Sequence, residues 1–155
     1  MAIKYGVNAT KVLNQSIPAL SEQGEHKGRV QMLYDEYTLT ADLAAADIIK
    51  MGSLLPAGAR VVNMQLYFDD LDAAGGTVNV GWAASADAVE AASASGLALA
   101  VDVTSAGVVD TVDDYPASAG LFKKFASPVQ IQVATVGDTD ATTGTIKVAV
   151  FYVID

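Results

Sequence analysis

From residue 30 onward, apolar residues recur at every second position along most of the chain. Val30, Met32 and Tyr34 alternate in RVQMLYDEYTL, Val62, Met64, Leu66 and Phe68 in RVVNMQLYFDD, and Val78, Val80 and Trp82 in TVNVGW. A period of two places such residues on one face of a strand. VQIQVATV puts Val129, Ile131 and Val133 on one face. TIKVAVFYV puts Ile146, Val148, Val150 and Tyr152 on one face and Ala149, Phe151 and Val153 on the other, the pattern of a strand covered on both sides. ADIIKMG and GLALAVDV add two further strands, and AGAR, AAGG, ASAG and VGDTDATTG supply turns between them. Seven or eight short strands separated by turns predict an all-β chain, an antiparallel β-sandwich of jelly-roll type.

Two regions do not alternate. Residues 85–95, SADAVEAASAS, are rich in alanine; they suit either a short helix capped by Ser85 or a plain connection between strands. Residues 1–27 show no clean period and contain Pro18 and the polar run SEQGEHKG. They are expected to form an extended N-terminal arm with apolar anchors at Ile17, Pro18 and Leu20, ahead of a sandwich domain over residues 28–155.

Charge divides the chain at the same place. Residues 1–30 carry four basic and two acidic side chains, net +2, whereas the remainder carries five basic and sixteen acidic, net −11. An acidic body repels phosphate, so direct nucleic-acid binding is not expected, while a basic arm suits an acidic protein surface. At 155 residues the chain is long enough to bury a sizeable core without staples. It has no cysteine, which excludes disulfides, thiolate metal sites and a cysteine nucleophile. No segment approaches the roughly 20 apolar residues of a membrane helix, and the N-terminus lacks the apolar run of a signal peptide. A soluble chain without an export signal, and without membrane contact, is expected.

The inventory of chemistry is thin. His26, the one histidine, falls in the polar run of the arm, a poor support for a Ser-His-Asp arrangement. No phosphate-binding loop, dinucleotide fingerprint or HExxH helix is present. Asp69, Asp70 and Asp72 in DDLDAAGG are weak calcium candidates, because alternate carboxylates before glycine suit a hard cation; the same residues are what a turn requires. A pair of carboxylates for glycoside cleavage would need an aromatic-lined cleft, and the chain has one Trp. Neither an enzyme nor a cofactor is expected. The best ligand-binding alternative is a carbohydrate module resting on Tyr67 and Tyr37, since Phe68 and Trp82 fall on core-facing positions.

Residues 55–70, LPAGARVVNMQLYFDD, then read as scaffold. Pro56 and Gly58 set a turn, Val62, Met64, Leu66 and Phe68 face a core, and Asp69 and Asp70 begin the next turn. Asn63, Gln65 and Tyr67 occupy the opposite face together with Val61, and with Phe151 of the last strand they mark a possible subunit interface.

The runs GRVQMLYDEYTLTADLAAADIIKMGSLLPAGARVV, GGTVNVGWAASADAVEAA and KVAVFYVID resemble small virion structural proteins of tailed bacteriophages, in particular head decoration or cement proteins. The resemblance spans most of the chain from Gly28 onward; residues 1–27 match least. It implies a β-sandwich that assembles as a homotrimer between capsomers, binds the major capsid protein on the outer surface of the phage head, and reinforces the expanded shell. Such a protein is made in the host cytoplasm and resides in the virion. It needs a rigid body and an arm that bridges shell subunits, the role expected of Ile17, Pro18 and Leu20. A carbohydrate-binding head fibre or adhesin, and a tail or neck component, are the alternatives.

Overall fold

The computed structural model describes residues 29–72, 75–137 and 139–154. Among the described residues there are eight strands, seven of them the segments that the sequence marks: β1 Gln31–Thr38, β2 Ile48–Leu55, β3 Ala59–Phe68, β4 Thr77–Trp82, β5 Ser93–Asp102, β6 Gly107–Asp110, β7 Val129–Thr135 and β8 Thr145–Ile154. Among the described residues a four-residue helix, α1 Thr111–Asp114, follows β6. Its cap is Asp110, whose side chain accepts the Val112 N–H. The sequence pattern did not mark β6 or α1, because four residues are too few to establish a period.

Each strand pairs antiparallel with its counterpart counted from the other end of the body: β1 with β8, β2 with β7, β3 with β6, β4 with β5. Two further antiparallel pairings, β3 with β8 and β4 with β7, complete sheets of order β1-β8-β3-β6 and β2-β7-β4-β5. This is a strand ribbon rolled into two facing sheets, the jelly roll that the alternation predicted. Met51, Leu55, Met64, Leu66, Leu97, Ile131 and Ile146 fill the space between the sheets and are fully buried. Trp82 meets Phe125 edge to face, with ring centroids 5.0 Å apart, and its indole N–H donates to the Ala91 carbonyl at 2.9 Å.

Two strand faces differ from the sequence reading. In β3 the register shifts between Val61 and Asn63, a bulge at Val62. The extra residue exchanges the faces ahead of it, so Val61 is fully buried and Val62 only partly so. In β1 the alternation marks the strand, yet Leu33 and Tyr37 turn inward while Val30, Met32 and Tyr34 stay exposed.

Residues 85–92 form no helix; they are a loop built on side-chain hydrogen bonds. The Asp87 carboxylate accepts from the hydroxyls of Ser85 and Ser127, both at 2.5 Å, and from the Val89 N–H. Ala88 takes a left-handed backbone with φ of 58°, which a right-handed helix does not allow. Ser85 and Asp87 satisfy the backbone locally, accepting the Glu90 and Val89 N–H groups, and outcompete the helix that alanine favours. Beside them the buried Glu90 accepts the Ala126 N–H at 2.7 Å and pairs with Lys123 at 3.0 Å.

These bonds have a pH signature. The Ser127 and Ser85 hydroxyls and the Val89 N–H hold the Asp87 carboxyl at about 2, against an ordinary 3.8. A depressed folded-state value contributes stability above the unfolded value, which is lost as pH falls through the folded one. The melting temperature is therefore expected to fall between pH 4 and 2, and Asp87→Asn to flatten that fall; an unchanged acid profile in the variant counts against the clamp.

Candidate functional site

Cross-strand pairing determines which side chains share the outer face of the β1-β8-β3-β6 sheet. Phe151 lies between Met32 and Asn63, Ala149 between Tyr34 and Gln65, and Lys147 between Glu36 and Tyr67. Strand β6 extends the face with Asp110 opposite Gln65 and Val108 opposite Tyr67. The structure thus brings Asn63, Gln65, Tyr67 and Phe151 onto one surface, together with an exposed apolar stripe that pattern reading did not single out.

Met32 is 58% exposed, Tyr34 50% and Val108 55%. Sequence alone held one clue to the stripe: Tyr37 and Leu39 continue the phase of Leu33, whereas Glu36 continues that of Tyr34. The more apolar-looking face of β1 is the outer one.

The polar side chains of this face are pinned. Asp110 Oδ2 accepts from Asn63 Nδ2 at 2.8 Å and from Gln65 Nε2 at 3.1 Å, and the Tyr67 hydroxyl donates to Gln65 Oε1 at 2.9 Å. Burial by itself raises the Asp110 carboxyl; the two amides and the Val112 N–H outweigh it and bring the group below its ordinary value. At the far end Tyr34 donates to Glu36, which also pairs with Lys147 at 3.4 Å. A face of fixed polar groups beside exposed apolar ones suits contact with another protein surface.

The remaining predicted residues are dispersed. Asp69 Oδ2 accepts both the backbone N–H and the hydroxyl of Thr145 at 2.8 Å, capping the start of β8. Asp72 is buried over Gly76, and Asp70 is exposed. Among the described residues no group of three His, Cys, Asp or Glu side chains could hold a metal ion. The calcium candidates are turn residues here. Tyr37 packs against the core opposite Ile146, whereas Tyr67 stands on the outer face, so the two tyrosines cannot form one sugar-stacking platform. Ile17, Pro18, Leu20 and His26 lie outside the described residues.

No protein-family model matches the chain, and no curated protein matches it. Solved structures do. One match is to a chain of the cyanophage Pam1 capsid asymmetric unit, with 26% identity and a TM-score of 0.65 over 88% of this chain and 93% of that one. Another is to a chain of the capsid of Ralstonia phage GP4, with 29% identity and a TM-score of 0.66 over 83% and 86%. The chain is similar to phage capsid proteins. Coverage this high in both directions means that the matched capsid chains have nearly the same length as this one, so the likeness extends over most of each molecule.

Proposed function

We propose that this protein is a structural component of a phage virion and, within it, a decoration or cement protein on the outer surface of the head. The observation that carries the reading is the likeness, along most of both chains, between this jelly roll and capsid chains of similar length. Physical features agree with it. Two antiparallel sheets closed over a fully buried core make a rigid body, and the outer face with Asn63, Gln65, Tyr67 and Phe151 offers a neighbouring subunit both apolar area and fixed polar partners.

In this reading the partner is the major capsid protein, and the unit that binds is a homotrimer. Residues 1–27, with Ile17, Pro18 and Leu20 as anchors, bridge shell subunits. Three linked arms turn individually weak contacts into firm attachment, because each arm after the first binds at high effective concentration. The capsid likeness favours the head over a tail or neck position.

The test is binding of the purified chain to expanded heads of its own phage that lack it, measured by co-sedimentation. The full chain is expected to bind and to raise the temperature at which the heads open. Removal of residues 1–27 should weaken binding by at least about 100-fold. A chain that ignores heads and binds tails would overturn the decoration reading, and full binding without the arm would overturn the arm's role.

A further inference from the structure

A sheet edge offers unpaired backbone groups to any strand that fits it, and three of the four edges in this sandwich are blunted. Strand β6 is four residues long and runs straight into α1. Strand β2 shifts register between Met51 and Leu55, with Gly52 left-handed at φ of 65°. Strand β5 shifts register twice against β4 and is left-handed at Ala100, φ of 53°. The edge of β1 has none of these devices. It runs eight residues in one register beside β8 and, among the described residues, pairs with no other strand. Met32 and Tyr34 within it, and Val30 just ahead of it, are each at least half exposed on the outer side.

Charge divides this edge by its ends. Arg29 stands exposed at the start, in the phase of Asp35, and has no partner among the described residues. Asp35 ties the edges of the two sheets together: Oδ2 accepts the Gly52 N–H at 2.6 Å, and Oδ1 accepts the Glu36 N–H at 2.9 Å. No cation pairs with Asp35 among the described residues, since Lys147 is taken by Glu36 and Lys123 by Glu90. A carboxylate that accepts two N–H groups keeps lone pairs for a cation. The same bond fills the Glu36 backbone donor, so the open stretch of the edge ends at Asp35.

We infer that β1 pairs antiparallel with β1 of a second copy, across a two-fold axis at Met32. An axis there sets Met32 against itself, Val30 against the second copy's Tyr34, and Arg29 against the second copy's Asp35. One register thus matches the apolar positions and the opposite charges together. Directly opposite residues share a face, so Val30, Met32 and Tyr34 stay on the outer surface of a sheet that runs through both copies. An axis one residue further on, at Leu33, would set Val30 against Glu36 and Arg29 against Tyr37, and loses both matches. Each copy uses the same patch, so the contact is isologous and closes at two. It does not rest on the decoration reading; a trimer needs a different contact, and this one would join one trimer to the next.

Met32→Cys tests the axis. Directly opposite Cα atoms of an antiparallel pair lie about 4.5–5.5 Å apart, within the span of a disulfide. The chain has no cysteine of its own, so oxidation of the full-length variant should give a covalent dimer through the introduced pair alone. In Tyr34→Cys the two thiols lie four residues out of register, about 13 Å apart, and should stay unjoined, whereas Val30→Cys combined with Tyr34→Cys should join again. Cross-linking of Tyr34→Cys as readily as Met32→Cys, or of neither Met32→Cys nor the double variant, overturns the inference. Met32→Lys sets like charges against each other at the axis. Because Met32 is exposed, that variant should melt as the parent does, while pairing, read from the concentration dependence of the light-scattering mass, weakens at least about 10-fold. Unchanged pairing in the folded variant would also overturn the contact. A chain that binds heads yet forms none of these cross-links sinks the contact and leaves the decoration reading standing; one that cross-links as expected and ignores heads does the reverse.

Discussion

Replacing Met64 by aspartate is expected to abolish cooperative folding. Met64 sits in the middle of β3, pairs with Val150 on β8 and is fully buried between the sheets. A carboxylate there has no partner; it must stay charged in an apolar core or take up a proton at neutral pH, besides forfeiting the methionine's packing. The combined cost, over about 5 kcal/mol, is comparable to the whole stability of a domain this size. Thermal unfolding followed by circular dichroism checks it, with Asn63→Asp as the neighbour on the opposite face. From sequence alone Asn63→Asp is a harmless surface change. The structure assigns it a cost of about 1–2 kcal/mol, because Asn63 Nδ2 donates to Asp110 and the variant would oppose two carboxylates. Like charges raise each other's proton affinity, so this smaller penalty is present at neutral pH and relieved on acidification. Equal loss of cooperativity in both variants would sink the placement of β3.

Gly81→Ala is expected to destabilise by about 3 kcal/mol or more. A Cβ at Gly81 would meet the Ser93 carbonyl oxygen, with the backbone of Ala94 within 2.7 Å. Gly81 lies in β4 where the ladder to β5 shifts register between Val80 and Trp82, so the two backbones approach more closely than a regular pair. Ordinary overpacking costs about 1–3 kcal/mol because side chains yield; here the obstacle is main chain, held by the pairing of β4 with β7 on its other side. Gly137→Ala is the control, since a Cβ there meets nothing within 4 Å and should change stability by less than about 0.5 kcal/mol. Denaturant midpoints that fall together in both variants would show the destabilisation to be general to glycine replacement.

The sandwich was legible because its signal is local and repeated. Val78, Val80 and Trp82, Val129, Ile131 and Val133, and Ile146, Val148 and Val150 alternate in sequence and all face the core. In β8, Ile146, Val148 and Val150 are fully buried between the sheets, whereas Lys147 and Phe151 on the outer face are only partly buried, so the apolar run TIKVAVFYV is covered by the core on one face and open on the other. The features that escaped the pattern depend on partners distant in sequence. The bulge at Val62 arises where β3 runs against β8, and no residue of RVVNMQ announces it. The loop at residues 85–92 depends on Ser127, some forty positions away. Asn63, Gln65, Tyr67 and Phe151 share one outer face, and their union there with Met32, Tyr34 and Asp110 required the sheet order.

By itself, then, the sequence determined the class: alternating apolar residues and short polar turns leave a chain of this length little choice but two facing antiparallel sheets. It also determined an acidic body, with sixteen acidic residues against five basic beyond residue 30. Only the tertiary structure decided which face of β1 is exposed, that Tyr37 and Tyr67 lie on opposite sides, and that Phe122 stands out on a strained backbone. The reason is physical. Periodicity establishes that a strand has two faces, but which one meets the core is chosen by the strands beside it, through registers and bulges set between residues far apart in the chain.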